Sequence, residues 1–580
     1  MKRYVADFET ITDEADARVW AWAVVEVGNI GAIEYGNRIE TFIDWLKSHT
    51  GTAVYFHNLK FDGMYIVDWL LKHDWKHHLT GKNMEAGEFN SLISDMGQWY
   101  SLKLCIRGTG KHRQFITIYD SYKLLPYSVE DIANAFKLPM LKGEIDYNAY
   151  REVGHELTDE EKDYIHNDVC IVAQALQEMF NRGFEKMTIG SNALTYYKEL
   201  MGKQTFERRF PPPVTYDHDI RQSYRGGWTY VNPKFAGQDI DEGIVLDVNS
   251  LFPSQMRNRP MPFGVGVWFK GEYVYDEFYP LYIQHFRCQF EIKEGYLPTY
   301  QIHFNPRFSS TEYALSSEGE YVDMCMTSVD LKLFLEHYNV YNLEWCSGWK
   351  FQSFEHAFDD YIDFWTEQKI QAKKEGNAGL YTIAKLFLNS LYGKFATAPT
   401  VQSKNPVLVD DVVKLQLGAK EERTPVYLPV GTFITAYARD VTIRSAQKVY
   451  DRFLYADTDS LHLKGLEVPA ELDVDDYKLG AWKHESTFHR ARFLHAKCYI
   501  EETYVEEHID EATGKIELKP TNKVTDKWIT KPTIAGLPHK QHNQVTWENF
   551  HLGAVYTGKL LPHTVEGGVV LKPVDFRIKG

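Results

Sequence analysis

The sequence predicts a multidomain protein of mixed α/β and α+β class. Its 580 residues are more than one hydrophobic core usually organises. Roughly the first 180 residues alternate strand and helix patterns, which is typical of an α/β domain. The remainder mixes strands, helices and aromatic-rich loops around one long helical pattern. With 44% hydrophobic residues, the chain can fill several packed domains and is not expected to be disordered.

Composition excludes some classes of protein. No apolar run approaches the ~18 residues that suggest a membrane span, and the first residues turn acidic too soon for a signal peptide. The six cysteines are scattered, so we expect neither a disulfide framework nor a zinc site, and a reducing interior fits. The net charge of -16 is unfavourable for a nucleic-acid binder, although net charge says little about a local groove.

The N-terminal region carries recognisable strand and helix signals. Strands are predicted at residues 4–10, 21–27, 53–56 and 116–119. Thr158 followed three residues later by Glu161 is typical of a capping box that opens a helix. That helix should end near residues 181–183, and a first domain boundary follows soon after.

Four acidic residues of this region form a candidate metal site. Asp7 and Glu9 lie two apart on the first strand and therefore share a face. Asp62 lies in a later loop, and Asp168 follows Tyr164 by one turn of the capped helix. Clustered carboxylates are stable only with cations, and two divalent ions can cleave a phosphodiester. Any one of these patterns alone is usually ordinary surface; their order along the chain strengthens the interpretation.

A second pair of aspartates is separated by about two hundred residues. Asp247 ends a short apolar strand, and Asp459 lies in a polar centre between two apolar arms, which predicts a β-hairpin. The two strands could bring the aspartates together to hold magnesium, nucleotide phosphates and a primer 3′-hydroxyl. Turn chemistry or capping is the ordinary alternative for each aspartate taken singly.

A basic helical pattern lies between these aspartates. Lys385, Asn389 and Tyr392 are at i, i+4 and i+7, so they share one helix face. Lysine can meet triphosphate oxygens as a point charge. Lys369 is a second candidate, on a predicted antiparallel partner helix at residues 361–374. The alternative is an amphipathic helix with a chance polar stripe.

These patterns, in this order, resemble the motifs of family B DNA polymerases. The N-terminal set resembles the exonuclease motifs of proofreading nucleases with a ribonuclease-H-like fold. Residues 247–254 are similar to motif A, Lys385 with residues 389–393 to motif B, and residues 455–460 to motif C. Residues 224–227 resemble the linker between the two modules, residues 435–439 a template-contact motif, and residues 497–499 a Lys-x-Tyr motif at the primer end.

The short chain and the long gaps between motifs resemble the protein-primed subfamily of the Bacillus phage phi-29 group. The resemblance implies a ribonuclease-H-like 3′→5′ exonuclease domain followed by a right hand of palm, fingers and thumb with two insertions. The implied divisions are exonuclease 1–189, palm 190–260 and 428–530, terminal-protein-contacting insertion 261–358, fingers 359–395, strand-displacement insertion 396–427 and thumb 531–580.

The resemblance also implies a role for each matched residue. Asp7, Glu9, Asp62 and Asp168 would hold exonuclease metals, with Tyr164 and Lys142 at the scissile phosphate. Asp247, Asp459 and the Val248 carbonyl would hold polymerase metals. The nucleotide site would comprise Phe252, Lys369, Lys385, Asn389, Tyr392 and Asp457. DNA would be held by Thr10, His57, Asn58, Phe61, Ser121, Tyr122, Tyr224, Arg225, Gly226, Gly227, Thr435, Arg439, Lys497 and Tyr499.

The implied activity is template-directed, processive and strand-displacing DNA synthesis with proofreading, replicating a linear phage genome. Two Mg²⁺ ions per active site are expected, with Mn²⁺ as a substitute. The implied partners are primer-template DNA, deoxynucleotides and a terminal protein that serves as primer. The polymerase would act as a monomer or as a heterodimer with the terminal protein, in the cytoplasm of an infected bacterium. The alternatives are a nucleic-acid-primed family B polymerase, a stand-alone exonuclease with an inactive polymerase half, or a non-catalytic DNA-binding protein.

Two residues depart from the subfamily pattern. Phe252 stands where the pattern has tyrosine, and Tyr122 stands where it has leucine. Phenylalanine keeps the bulk that excludes a ribose 2′-hydroxyl, so we expect sugar discrimination to survive. Tyr122 should still pack on a single strand.

Overall fold

A computed structural model describes residues 1–11, 13–139, 143, 145–146, 149–302, 312–509 and 516–579. The N-terminal region is a mixed sheet with strand order β3-β2-β1-β4-β8-β7-β6-β5, covered by helices. Strand β1 is parallel to β4 and antiparallel to β2. The elements are β1 (Arg3–Thr10), β2 (Val19–Glu26), β3 (Asn29–Gly36), α1 (Ile39–Ser48), β4 (Ala53–Phe56), α2 (Asp62–Lys72), β5 (Lys76–His77), β6 (Glu88–Ile93), β7 (Trp99–Arg107), β8 (Gln114–Asp120), α3 (Val129–Phe136) and α4 (Asp159–Asn181).

Helix α4 begins at the predicted capping box. The Thr158 hydroxyl accepts from the Glu161 N–H at 3.2 Å, and the Glu161 carboxylate accepts from the Thr158 N–H at 3.1 Å. The prediction of this helix start is confirmed. The apolar face of α4 lies against β1 and β2 and continues into a core shared with the later helices.

The middle of the chain begins with short helices and then forms two sheets and a helical hairpin. Its elements are α5 (Ile189–Met201), α6 (Lys203–Arg209), α7 (Asp217–Arg221), β9 (Thr229–Val231), β10 (Gly243–Val248), α8 (Leu251–Asn258), β11 (Met261–Lys270), β12 (Leu281–Ile292), β13 (Val322–Thr327), α9 (Ser328–His337), β14 (Tyr338–Phe354), α10 (Asp359–Glu375) and α11 (Ala378–Phe395). Strands β11-β14-β12-β13 form a sheet of their own, the insertion sheet. Helices α10 and α11 pack antiparallel, as predicted.

The C-terminal part completes the central sheet and adds two hairpins. Its elements are β15 (Thr400–Val409), β16 (Val412–Glu422), α12 (Leu428–Lys448), β17 (Phe453–Asp457), β18 (Ser460–Lys464), β19 (Trp482–His495), β20 (Cys498–Ile509), β21 (Ile516–Pro520), β22 (Trp528–Ile534), β23 (Val555–Val565) and β24 (Gly568–Arg577). The central sheet has the order β21-β20-β19-β10-β18-β17-β9, with β22 also paired to β20. The expected boundary at 530 therefore falls inside β22, a strand paired with this sheet.

The two hairpins β15–β16 and β23–β24 meet each other and the N-terminal region. Ser403 bridges Ser94, and Val412 bridges Glu566. The Tyr65 hydroxyl on α2 donates to the Val569 carbonyl on β24 at 2.6 Å. These contacts join the N-terminal region to the β15–β16 hairpin, that hairpin to the C-terminal hairpin, and the C-terminal hairpin back to the N-terminal region. Among the described residues, no helix is both long and apolar enough to cross a membrane.

Candidate active sites

Asp247 and Asp459 lie side by side in the central sheet. Asp247 ends β10 opposite Ser460 of β18, and the Val248 N–H donates to the Asp459 carbonyl at 2.8 Å. The predicted hairpin of β17 and β18 is confirmed and carries Asp459 in its turn. Both carboxylates line one cavity of about 490 Å³.

A glycine of the linker makes the turn beside Asp459 possible. Thr458 adopts a left-handed conformation with φ 62°, and its N–H donates to the Trp228 carbonyl at 2.8 Å. A Cβ at Gly227 would come within 2.5 Å of the Thr458 side chain. Any larger residue at 227 would therefore displace the turn that positions Asp459.

Electrostatic repulsion marks this carboxylate pair as a cation site. Burial, then the charges of Asp459 and Glu485, raises the pKa of Asp247 to about 8. Burial, then Asp457 and Glu485, also raises the pKa of Asp459. Like charges held together in this way are stabilised by a bound cation.

The donor set fits magnesium in part. Carboxylates and a backbone carbonyl are the hard oxygen ligands that Mg²⁺ prefers, and it usually keeps several waters and substrate phosphates in its shell. Within the described residues, no three His, Cys, Asp or Glu side chains form a metal cage on their own. The pair Asp247 and Asp459 with the Val248 carbonyl would thus hold a cation whose remaining ligands come from water and substrate.

Lysines from the helical hairpin stand near this pair. Lys385 on α11 is exposed and close enough for its charge to lower the pKa of Asp247. Burial, and then the Lys385 and Lys373 charges, lowers the pKa of Lys369 on α10. Two lysines close enough for their charges to repel each other, one of them near Asp247, are suited to bind a polyanion such as a triphosphate.

Two aromatic rings join α8 to α11 above the site. The rings of Phe252 and Tyr392 stack with centroids 4.3 Å apart and planes 21° apart. Asn389 is exposed one turn before Tyr392 on the same helix face, as the spacing predicts. Burial, and then the charges of Tyr224 and Asp459, raises the pKa of Tyr392, so the stack lies close to Asp459.

Asp457 and Lys497, predicted for different tasks, are bound to each other. The Lys497 ammonium lies 3.0 Å from both carboxylate oxygens of Asp457. The Tyr455 hydroxyl donates to Asp457 at 3.3 Å and accepts from the Lys497 N–H at 3.0 Å. Tyr499 packs on Tyr455 with ring centroids 5.1 Å apart, so this network reaches both ends of the Lys-x-Tyr motif.

The N-terminal carboxylates gather around β1. The Phe8 N–H, between Asp7 and Glu9, donates to the Asp62 carboxylate. Burial, and secondarily the charge of Asp120, raises the pKa of Asp62 to about 7. Helix α4 packs on β1. Its residues Tyr164 and Asp168 are buried and lie on the helix face that points to the sheet. The second candidate at the scissile phosphate, Lys142, lies outside the described residues.

The residues predicted to hold a single strand surround an open cavity next to Asp62. It measures about 530 Å³ and is bordered by His57, Asn58, Phe61 and Tyr122. The His57 ring lies 5.6 Å from that of Tyr122, which is 40% exposed and free to pack on a base. Thr10 bonds through its side chain to Tyr65 at the edge of the same region.

The sequence matches the family described as DNA polymerase type B, organellar and viral, over residues 47–476. It is 46% identical to the DNA polymerase of Bacillus phage Nf and 44% identical to that of Bacillus phage phi29, covering 100% of this chain and 100% and 99% of theirs. The structure of phi29 DNA polymerase complexed with primer-template DNA superposes with a TM-score of 0.93 at 42% identity, over the whole of both chains. This chain belongs to the type B DNA polymerases. It is a DNA-directed DNA polymerase of the phi29 type, with the fold predicted from its motifs.

Four residues predicted to touch DNA are buried in this type B polymerase and contact neighbouring protein groups. Ser121 has no exposed surface and bonds His57 at 3.0 Å, while its hydroxyl donates to the Phe56 carbonyl. Thr435 bonds carbonyls of its own helix. The Arg225 guanidinium lies over the Tyr300 ring. The fourth of these residues is Arg439. Each of these four side chains is at least nine-tenths buried and held by neighbouring protein groups, and direct contact with DNA stays a prediction.

Arg439 acts as a brace between three parts of the polymerase. Its guanidinium forms a two-point ion pair with Asp330 on α9, at 3.0 and 2.8 Å. It also donates to the carbonyls of Arg225 and Gly226, both at 2.7 Å. The linker 224–227 is thereby fixed to α12 and to the insertion sheet, with Gly226 exposed and Tyr224 and Gly227 half-buried.

Sequence reasoning missed several residues of both sites. Asp120 accepts from the N–H groups of Asn58 and Tyr122, which orients the strand-holding loop; its place at the end of an apolar strand was an available signal. Glu485 and the buried pair of His462 and Glu501, 2.7 Å apart, line the polymerase cavity. No spacing pattern pointed to these three, because their strands meet only in the folded sheet.

Proposed function

We propose that this polymerase is protein-primed and processive, displaces the non-template strand, and proofreads with its N-terminal domain. In this proposal residues 1–189 form the exonuclease, 190–260 and 428–534 the palm, 261–358 the insertion that contacts a terminal protein, 359–395 the fingers, 396–427 the displacement insertion, and the rest the thumb. The observation that carries it is the presence of two separate buried carboxylate sites, each with its own strand-binding surroundings.

In the polymerase site, Asp247, Asp459 and the Val248 carbonyl would hold two Mg²⁺ ions, with Mn²⁺ able to substitute. The bound ions would favour the ionised primer 3′-hydroxyl and offset charge on the leaving phosphates. Lys369 and Lys385 would hold triphosphate oxygens, and the stack of Phe252 and Tyr392 would support the sugar and check the new base pair. Asn389 lies on the same helix face.

At the primer end, Lys497 and Tyr499 would steady the backbone of the last nucleotides. The Asp457–Lys497 pair keeps the ammonium oriented until a phosphate arrives. Tyr224, Gly226 and Gly227 would contact the duplex, whereas Arg225, Thr435 and Arg439 would act by holding that linker in place.

In the exonuclease site, Asp7, Glu9, Asp62 and Asp168 would hold the ions that activate a water. Tyr164 and Lys142 would orient the scissile phosphate. Thr10, His57, Asn58, Phe61 and Tyr122 would hold the frayed primer strand, partly by aromatic stacking. Asp120 and Ser121 would fix the loop that carries His57 and Asn58.

Processivity is supported by the chain of contacts between the hairpins and the exonuclease domain. The β15–β16 hairpin touches that domain through Ser403 and the thumb through Val412. Lys572 of the thumb forms an ion pair with Glu14. A duplex inside this enclosure could not diffuse away laterally, and an emerging strand would be separated at the hairpin. Such an enzyme would replicate a linear genome in an infected bacterium, alone or bound to its terminal protein.

A labelled primer on a longer template tests the two-site proposal. With Mg²⁺ and four deoxynucleotides the primer should lengthen, and without nucleotides it should shorten stepwise. Priming is tested separately by labelled deoxynucleotide transfer to the terminal protein of the cognate genome. Extension of DNA primers without any transfer to that protein would favour a nucleic-acid-primed enzyme.

A further inference from the structure

A cavity outside both active sites lies where the insertion sheet meets α6. It measures about 440 Å³, which is within the range of small-ligand sites. It is open to solvent on one side, since Arg208 at its rim is exposed. Its lining residues are Arg208, Arg209, Phe263, Gly264, Gln352 and Phe354.

The two arginines of this cavity lack acidic partners. Among the described residues, no carboxylate lies within ion-pair distance of either guanidinium. Other arginines nearby do have one: Arg221 pairs with Asp217 at 2.7 Å, and Arg257 with Asp359 at 2.9 Å. In a chain with 80 acidic and 64 basic residues, two adjacent unneutralised arginines make a local anion-attracting site.

Aromatic and amide groups complete the cavity. The Arg209 guanidinium lies over the Phe354 ring at 4.1 Å, and the Phe263 and Phe354 rings meet edge to face with centroids 5.9 Å apart. Both rings are only partly buried. The Gln352 amide oxygen would lie 3.2 Å from a Cβ at Gly264, whose φ is 75°. Cations for phosphate, rings for a base and an amide for its edge together match a nucleotide.

The cavity adjoins the roots of the fingers and of the β15–β16 hairpin. Phe210, next to Arg209, packs on Phe395 and on Tyr427, which stand at either end of the displacement insertion. The Tyr427 hydroxyl donates to the Gly264 carbonyl in the cavity wall at 2.8 Å. The cavity is therefore tied to the elements between which single strands would emerge.

We propose that this cavity binds one nucleotide of the unpaired template strand ahead of the primer end. This choice of occupant rests on the proposed displacement role of the β15–β16 hairpin, whose root adjoins the cavity. A polymerase always carries unpaired template ahead of the primer end, whereas a displaced strand exists only on duplex substrates. The open rim at Arg208 lets a strand continue past the cavity. The site takes no part in bond formation; it adds affinity for longer template overhangs.

Binding of primer-templates with increasing 5′ template overhangs tests the proposal. The primer carries a nuclease-resistant 3′ end, and affinity is measured by fluorescence anisotropy without nucleotides. For the wild type, affinity should rise by about tenfold once the overhang reaches the cavity, as for one stacked and charge-paired nucleotide. The double variant Arg208→Ala/Arg209→Ala should lose this step, with a salt slope smaller by about 1.4.

A matched control is Arg287→Ala, which removes the charge of an exposed arginine paired with Asp323 on the insertion sheet. It should keep the affinity step. Phe354→Ala should lose the step, and a template carrying 5-iododeoxyuridine at the corresponding overhang position should cross-link to wild-type Phe354. All variants should extend a primer on a one-nucleotide overhang normally, which separates loss of this site from loss of polymerase function.

Three results would overturn the proposal. They are an affinity that does not depend on overhang length, a step that survives in the double arginine variant, and cross-links that form only from a displaced strand at a fork.

Discussion

The two carboxylate sites are built alike but are neutralised differently. In both, burial is the first cause of a raised aspartate pKa, to about 7 at Asp62 and about 8 at Asp247. The charges of Lys385 and Lys483 act on Asp247, whereas Lys123, which lines the cavity next to Asp62, pairs with Asp120 at 3.7 Å. A site that must accept a triphosphate needs cations of its own, while one that cleaves a single phosphodiester can rely on bound metals.

The sharpest test of this comparison removes one carboxylate from each site. Asp459→Ala should lower primer extension by at least about 10³-fold and leave degradation unchanged, and Asp7→Ala should do the reverse. Each variant serves as the control for the other in the labelled-primer assay. If either substitution in a folded protein removed both activities, the sites would not be independent.

A second difference is that Arg439 supports the polymerase site by joining α12 to Asp330 on α9 and to the linker 224–227. Arg439→Ala would leave the mostly buried Asp330 without its cation and, among the described residues, with only the Thr327 hydroxyl donating to it. It would also free two linker carbonyls, so we expect a loss of about 3 kcal/mol of stability. The loss should appear as a lower unfolding temperature and weaker extension, with degradation of single strands retained below that temperature. Arg444→Ala is the matched control, since it removes an α12 arginine whose ion pairs are partly exposed.

Unchanged stability of Arg439→Ala with weakened DNA binding would instead return Arg439 to the DNA interface. Because Arg439 is only 3% exposed, we do not expect that outcome.

The raised pKa of Asp247 gives the polymerase site a pH signature in the absence of metal. Because its folded pKa of about 8 exceeds the unfolded 3.8, the folded state holds the extra proton between these values. Stability contributed by this group is therefore present below about pH 4 and declines as pH rises to about 8. In Asp247→Asn, measured in EDTA, this decline should be absent and the unfolding temperature at pH 8 higher by about 2 °C or more.

Saturating Mg²⁺ should make the wild type more stable than Asp247→Asn, since the wild-type carboxylate can bind the cation and the amide cannot. An Asp247→Asn protein that is less stable than wild type in EDTA at pH 8 would contradict the repulsion inferred here. Lys483→Met is a useful companion, because losing that cation should steepen the wild-type decline.

The sequence predicted several elements of local structure well, but not the residues that support the two candidate sites. The capping box, the β17–β18 hairpin and the α10–α11 pair follow from spacing over a few residues. The buried protein contacts of Arg439 and Thr435 were not predicted, because a motif gives residue identity and not the direction of a side chain. Glu501 and His462 are 39 positions apart in the sequence and meet only in the folded protein, so no local pattern encodes their pairing.

The smallest expected effect concerns the ring that stands where the subfamily has tyrosine. Phe252 lies flat on Tyr392, so its bulk is fixed by packing and does not depend on a hydroxyl. Phe252→Val should remove the surface under the sugar and lower the preference for deoxynucleotides over ribonucleotides by about tenfold. Phe252→Tyr should change that preference little, and Asp7→Ala should be present in all proteins compared, so that proofreading does not mask misinsertion. If Phe252→Val discriminated as well as the parent, the stack would serve helix packing alone, and sugar selection would have to come from another part of the nucleotide site.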